Sequence, residues 1–178
     1  MSRRPQYSPD LVMCDMVSQH ILSGVLLTTA TVGIHGAGTL LLLWALFRAR
    51  MHAARHFGFL HNSILLMSVV VALMAVHVVE VVCWAGFYSR QKCFSDFNTS
   101  LYYSLVSYTT VGYGDVVLRD PGWRLLGGVE ALTGSLMMCW STVLLVQVLT
   151  KIYTRHVDDW EKEELLARER IHHVGPWR

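Results

Sequence analysis

The 178-residue sequence predicts an all-α membrane protein: three transmembrane helices, with a short re-entrant helix and loop between the second and third. Three observations carry that prediction. The composition is 53% hydrophobic and only 16% charged, against a charged share of roughly 25% in soluble domains. Charge is segregated: Ile21 to Phe47 has none, Ser63 to Tyr88 has only Glu80, and Leu125 to Thr150 has only Glu130. Each of these runs exceeds the ~20 residues that a helix needs to cross about 30 Å of hydrocarbon. The length suits one domain, or one subunit of an assembly.

The first run is too long and too deep in the chain for a signal peptide. Its TVGIHGAGT stretch looks like a glycine-rich nucleotide loop but has no preceding strand and lies inside uncharged sequence. Small residues at 24, 28, 33, 36 and 37 instead predict a helix-packing face, across which His35 can bond.

The loop after it carries Arg48, Arg50 and Arg55 with no acid over 48–62, and Lys151 and Arg155 follow the third run. The excess of basic residues puts both on the cytoplasmic side, with the N-terminus outside and the C-terminus inside. His52, His56 and His61 in this loop read as a solvated basic segment before they read as a metal site. The second run ends near Tyr88, and within it Glu80 lies one turn from His77 on the same face.

Residues 89–124 are too many for a tight turn. The uncharged piece 99–109 covers roughly 16 Å as a helix, half a bilayer, with Asp96 or Asn98 to cap it. A lone strand there would leave its backbone unpaired in lipid, so a helix that enters and returns is predicted. It runs into TTVGYGD at 109–115. Gly112 and Gly114 reach dihedrals closed to other residues, which lets successive carbonyls face one axis, and Thr110 adds a hydroxyl. Rings of carbonyls replace the hydration shell of a cation. The C-terminal end of the short helix favours the same charge. One chain offers one such strand, so a ring requires several copies.

The residues TTVGYGD at 109–115 resemble the selectivity-filter signature of the potassium-channel family with one pore loop between two membrane helices. The resemblance covers roughly 60–153, about half of the chain, and implies a homotetramer in a lipid bilayer around one pore. The implied organisation is a peripheral N-terminal helix and cytoplasmic loop over 1–59, a pore module over 60–153 and a charged tail over 154–178. Inside the module it places a pore helix at 99–109, a filter at 110–114 and an inner helix at 124–153. By resemblance, Thr110, Val111, Gly112 and Tyr113 ligate K+, with Thr109, Gly114 and Asp115 in support. Tyr102 and Tyr103 match an aromatic cuff around the filter, with Tyr103 the partner of Asp115. Val106 stands where some members carry a glutamate, and Tyr108 where a small residue is common. Tyr108 is therefore expected to press on Val111 or a neighbouring helix.

In the third run Gly134 falls near the family's hinge glycine, and equally suits a close helix approach. Met138 and Thr142 are candidate cavity liners. Glu80 and Glu130 are costly at membrane depth unless paired; they read either as tuning carboxylates behind the pore helix or as structural acceptors for hydroxyls such as Ser104 or Ser107. The tail predicts a solvent-facing helix ended by Gly175-Pro176.

The expectation is passive conduction of potassium in a membrane, most simply a bacterial inner (plasma) membrane. The alternative is a non-conducting or regulatory subunit that keeps the filter fold. No arginine repeat suggests a voltage sensor, no nucleophile–base or phosphate-loop pattern suggests an enzyme, and a formal net charge of +2 gives nucleic acid no support. No cofactor and no small-molecule substrate is expected; K+ is the transported ion. Asn98-Thr99-Ser100 fits the glycosylation pattern.

Overall fold

A computed structural model describes residues 9–52 and 59–173, without the side chains of 9–17, 49–52, 59, 61, 155, 156, 158, 159 and 171–173. The loop with Arg55 and His56, the side chains of Arg50, His52, His61 and Arg155, and Gly175-Pro176 lie outside the described residues.

Among the described residues four helices follow in order: α1 (Pro9–His52), α2 (Phe59–Arg90), α3 (Phe97–Tyr108) and α4 (Pro121–His173). Three segments are long and apolar enough to cross a membrane, Ser18–Arg48, Asn62–Arg90 and Pro121–Thr154. α3 is the short helix between the second and third. Its N-cap is Asp96, whose Oδ1 accepts the Thr99 N–H at 2.8 Å and whose Oδ2 accepts the Thr99 hydroxyl at 2.8 Å. Asp120 opens α4 in the same way, accepting the Gly122 N–H at 2.8 Å beside Pro121 at the first helical position.

The inner and tail helices expected over 124–153 and 154–178 are one helix of 53 residues, on the order of 80 Å long. Neither glycine nor proline occurs from Ser135 to Val174, so nothing breaks it. Past Thr154 its described side chains are exposed, and Glu164 accepts from Arg168 at 2.8 Å one turn on.

α1 packs on α2 and α4, and not on α3 among the described residues. Its inner face runs through Gly24, the half-buried Thr28, Thr31, His35 and Thr39 at helical spacing, while Leu22, Leu26, Leu40, Leu41 and Leu43 face outward. This corrects the face expected from 33, 36 and 37: a Cβ at Gly33 or Gly36 would meet nothing within 4 Å, and Ala37 is exposed. Gly38 is the close approach instead, with Val76 Cγ2 only 2.6 Å from where its Cβ would stand. In lipid the apolar faces have no reason to turn inward, so small and polar side chains make the seam. Trp84 donates its indole N–H to Thr31 at 2.9 Å, and the Thr28 and Thr133 hydroxyls lie 3.2 Å apart. Between α2, α3 and α4, a core of Val81, Trp84, Tyr88, Tyr108, Leu118, Leu126 and Met137 seats the short helix.

Candidate functional site

The loop after α3 has an alternating backbone. Thr110 (φ +60), Gly112 (φ +58) and Gly114 (φ +77) are left-handed, and Val111 and Tyr113 between them are not. Alternation of hand turns successive carbonyls toward one side, the arrangement for which the two glycines were singled out. Thr110 extends the alternation by one residue, in a region that β-branched side chains avoid. The loop's N–H groups are meanwhile tied back to α3. Thr110 N donates to Ser107 O at 2.9 Å, Val111 N to Val106 O at 3.0 Å, and Gly112 N to the same oxygen at 3.3 Å. Val106 thus anchors the loop through its carbonyl, whatever its side chain. Thr109 caps α3 and donates its hydroxyl to Leu105 O at 2.6 Å. Among the described residues, the hydrogen bonds of this segment leave the carbonyl oxygens of 110–113 unclaimed.

Asp115 closes the loop. Its Oδ2 accepts the Tyr102 hydroxyl at 2.7 Å, and that bond holds its carboxyl below the usual carboxylate range. The partner expected was Tyr103. Helical geometry separates the adjacent tyrosines by about 100°, and Tyr103 turns inward to stack on Tyr88 and Phe94, with ring centroids 5.3 and 5.0 Å away.

Behind the loop, α3 buries Ser100, Ser104 and Tyr108, one turn apart. Ser104 donates to Glu130 of α4 and lies 3.0 Å from Val81 O of α2. Glu130 accepts the Tyr88 hydroxyl as well, at 2.9 Å. One turn nearer the loop, Tyr108 donates to Glu80 of α2. Both carboxylates are fully buried. Both stand behind α3 and both accept hydroxyls, so the two readings of them share one geometry; Tyr108 and Tyr88 take the place given to Ser107. Tyr108 presses not on Val111 but on α2 and α4.

Glu80 draws in α1. His35 Nδ1 lies 3.0 Å from its Oε1 and His77 Nδ1 3.1 Å from its Oε2. His77 Nδ1 is also 3.2 Å from the Tyr108 oxygen. Ser141 Oγ stands 3.0 Å from His77 Nε2 and 3.4 Å from His35 Nε2. α1, which has no contact with α3 among the described residues, is therefore linked to the last residue of α3 through Glu80.

Gly134 is buried where α4 crosses the end of α3, and a Cβ there would collide with the Tyr108 carbonyl. Close approach is what this glycine serves in the structure. Met138 and Thr142 share with Thr109 the wall of an open apolar cavity of about 530 Å³ between α2, α3 and α4.

The sequence profile of a family described as "Ion channel" matches residues 74–151. Among curated proteins, the chain is 32% identical over 68 residues to the TWiK family of potassium channels protein 18 of Caenorhabditis elegans. That match covers 38% of this chain and 15% of the relative. It is 29% identical over 91 residues to the A-type voltage-gated potassium channel KCND3 of Homo sapiens, covering 49% of this chain and 14% of the relative. The Shal potassium voltage-gated channel protein of Drosophila melanogaster matches at 32% over 60 residues, covering 34% and 10%. The chain thus spans only about a seventh or less of these relatives. No solved structure matches it.

Proposed function

We propose that this chain is a potassium-selective channel subunit of the pore-loop family, four copies of which surround one pore; the match of residues 74–151 to an ion-channel family and the likeness to potassium channels support that reading. The observation that carries this reading is the alternating backbone of 110–114, with N–H groups tied to α3 and carbonyls unclaimed. Four such strands about an axis stack rings of oxygens from Thr110, Val111, Gly112 and Tyr113, with the Thr110 hydroxyl at the inner end. These oxygens replace water around K+, and the ion moves down its gradient from ring to ring. Assembly also accounts for side chains that one chain leaves bare: Val111 is 51% and Tyr113 72% exposed. Neighbouring copies cover them, together with the apolar cavity beside α3.

In the membrane, the basic loop after α1 and the cytoplasmic half of α4 lie inside, with 91–120 outside. Asp115 then stands at the outer mouth.

The test is efflux from liposomes that hold the purified full chain. The reading expects K+ to leave and Na+ to stay, with the protein running as a tetramer in detergent. Equal efflux of both ions, or a stable monomer, would contradict it.

A further inference from the structure

We propose that His35, His77 and Glu80 form a binding site for a divalent transition-metal ion, zinc foremost, that clamps α1 to the pore module. This site is separate from the potassium filter and does not depend on conduction. One nitrogen of each histidine and one oxygen of the carboxylate lie within 4.8 Å of one another. Donors about 2.0–2.1 Å from a single ion stand ~3.3 Å apart in a tetrahedron. His35 Nδ1 lies 3.0 Å from Oε1 and His77 Nδ1 3.1 Å from Oε2 of the same carboxylate, so the two nitrogens flank its two oxygens and side-chain rotations bring one donor from each residue onto the ion. Tyr108 Oη, 3.2 Å from His77 Nδ1, is a fourth donor atom beside the site.

Two further observations favour a cation here. Glu80 is fully buried at membrane depth, and its partners are two histidines and a tyrosine, with no lysine or arginine among the described residues. A carboxylate in such a place demands a positive partner. The second observation is the count of hydrogens at Ser141. With both Nδ1–H groups turned to Glu80, both Nε2 lone pairs converge on one hydroxyl that has a single proton. An ion held by the two Nδ1 lone pairs reverses this: both Nε2–H groups donate to the two lone pairs of Ser141 Oγ. That is the outer-shell bond that fixes the tautomer of a metal-bound histidine. His77, Tyr108 and Ser141 also line the 530 Å³ cavity, so the site borders it.

The ligand set, two imidazole nitrogens with carboxylate oxygen, suits zinc, cobalt, nickel and copper rather than magnesium or calcium. The probe is Co2+, titrated into the purified, untagged full chain after chelator treatment. Expected is saturable uptake of one ion per chain with the visible ligand-field absorption of a low-coordinate site, displaced by Zn2+. Ser141→Ala, which leaves all the ligands in place, should weaken uptake by roughly 10–100-fold, and Glu80→Gln should abolish it. His172→Ala with His173→Ala should leave it unchanged. Absence of the absorption at saturating Co2+ would overturn the proposal. So would an absorption indifferent to both Glu80→Gln and Ser141→Ala, or one lost with the tail histidines.

Discussion

Ser104 and Tyr108 stand one turn apart on the short helix and hand their hydroxyls to two different buried glutamates, Glu130 of α4 and Glu80 of α2. The alternating loop of 110–114 follows one residue after Tyr108. Its position in the membrane is therefore set by polar bonds from both flanking helices, and through His35 by α1 as well.

Glycine at 112 is required by conformation rather than by space. Its φ is +58, and a Cβ would meet nothing within 4 Å in a single chain. Gly112→Ala should add about 1–2 kcal/mol of backbone strain and abolish potassium-selective flux. Size-exclusion chromatography should still show the tetramer.

The glycines of α4 should grade by what lies against them. A Cβ at Gly128 meets nothing, one at Gly127 meets the far end of the Tyr103 side chain, and one at Gly134 meets the Tyr108 backbone. Alanine should be silent at 128, mild at 127 and most costly at 134, where overpacking is worth about 1–3 kcal/mol. Thermal unfolding of the three variants in one detergent checks the order. A flexible gate at 134 unrelated to packing would put Gly134→Ala at the silent end.

Removing the Ser104 hydroxyl leaves Glu130 with Tyr88 as its remaining hydroxyl donor. Ser104→Ala should destabilise by about 0.6–1.7 kcal/mol, the range for interhelical hydrogen bonds in membranes. Ser107→Ala, whose hydroxyl has no part in the carboxylate bonds described, should cost less on the same scale.

The outer mouth should tolerate mild acid. The Tyr102 hydroxyl bond holds the Asp115 carboxyl below its ordinary value. Its folded pKa thus lies under the unfolded value of about 3.9. The bond contributes in full above that value and is lost as pH falls through the folded pKa. Flux at external pH 5 should match that at pH 7 as far as this pair is concerned, with loss beginning only below about 4. Tyr102→Phe should move the loss to higher pH, and a pH–flux profile of the two proteins checks it.

Much of this was legible in the residues. Length and missing charge reveal three crossings, and a half-length apolar piece before TTVGYGD reveals the re-entrant helix, because hydrocarbon thickness is a ruler. The two filter glycines announce their own dihedrals. Thr110 does not: a β-branched residue carries no sign that its neighbours will hold it left-handed. The pairing of Asp115 with Tyr102 rather than Tyr103 was equally hidden, since adjacent helical residues differ only by a rotation that tertiary packing sets. The α1 seam was half legible. Small residues marked a packing helix, but which of two interleaved sets faces inward depends on Trp84 and Glu80 needing polar partners. A buried indole N–H inside an apolar run was the available signal for Thr31. Ser141 stayed silent because the geometry around it is made by three helices distant in sequence.

The Tyr108–Glu80 hydrogen bond stands directly behind the loop proposed above as the filter. The most direct test of that proposal is the reversal potential of Tyr108→Phe beside the wild type, in bilayers with opposed K+ and Na+ gradients. The variant keeps the ring and loses only the hydroxyl given to Glu80. The account predicts a wild-type reversal near the potassium potential, and a variant that remains tetrameric but reverses closer to zero. A wild type that reverses midway, or a variant indistinguishable from it, would contradict the account.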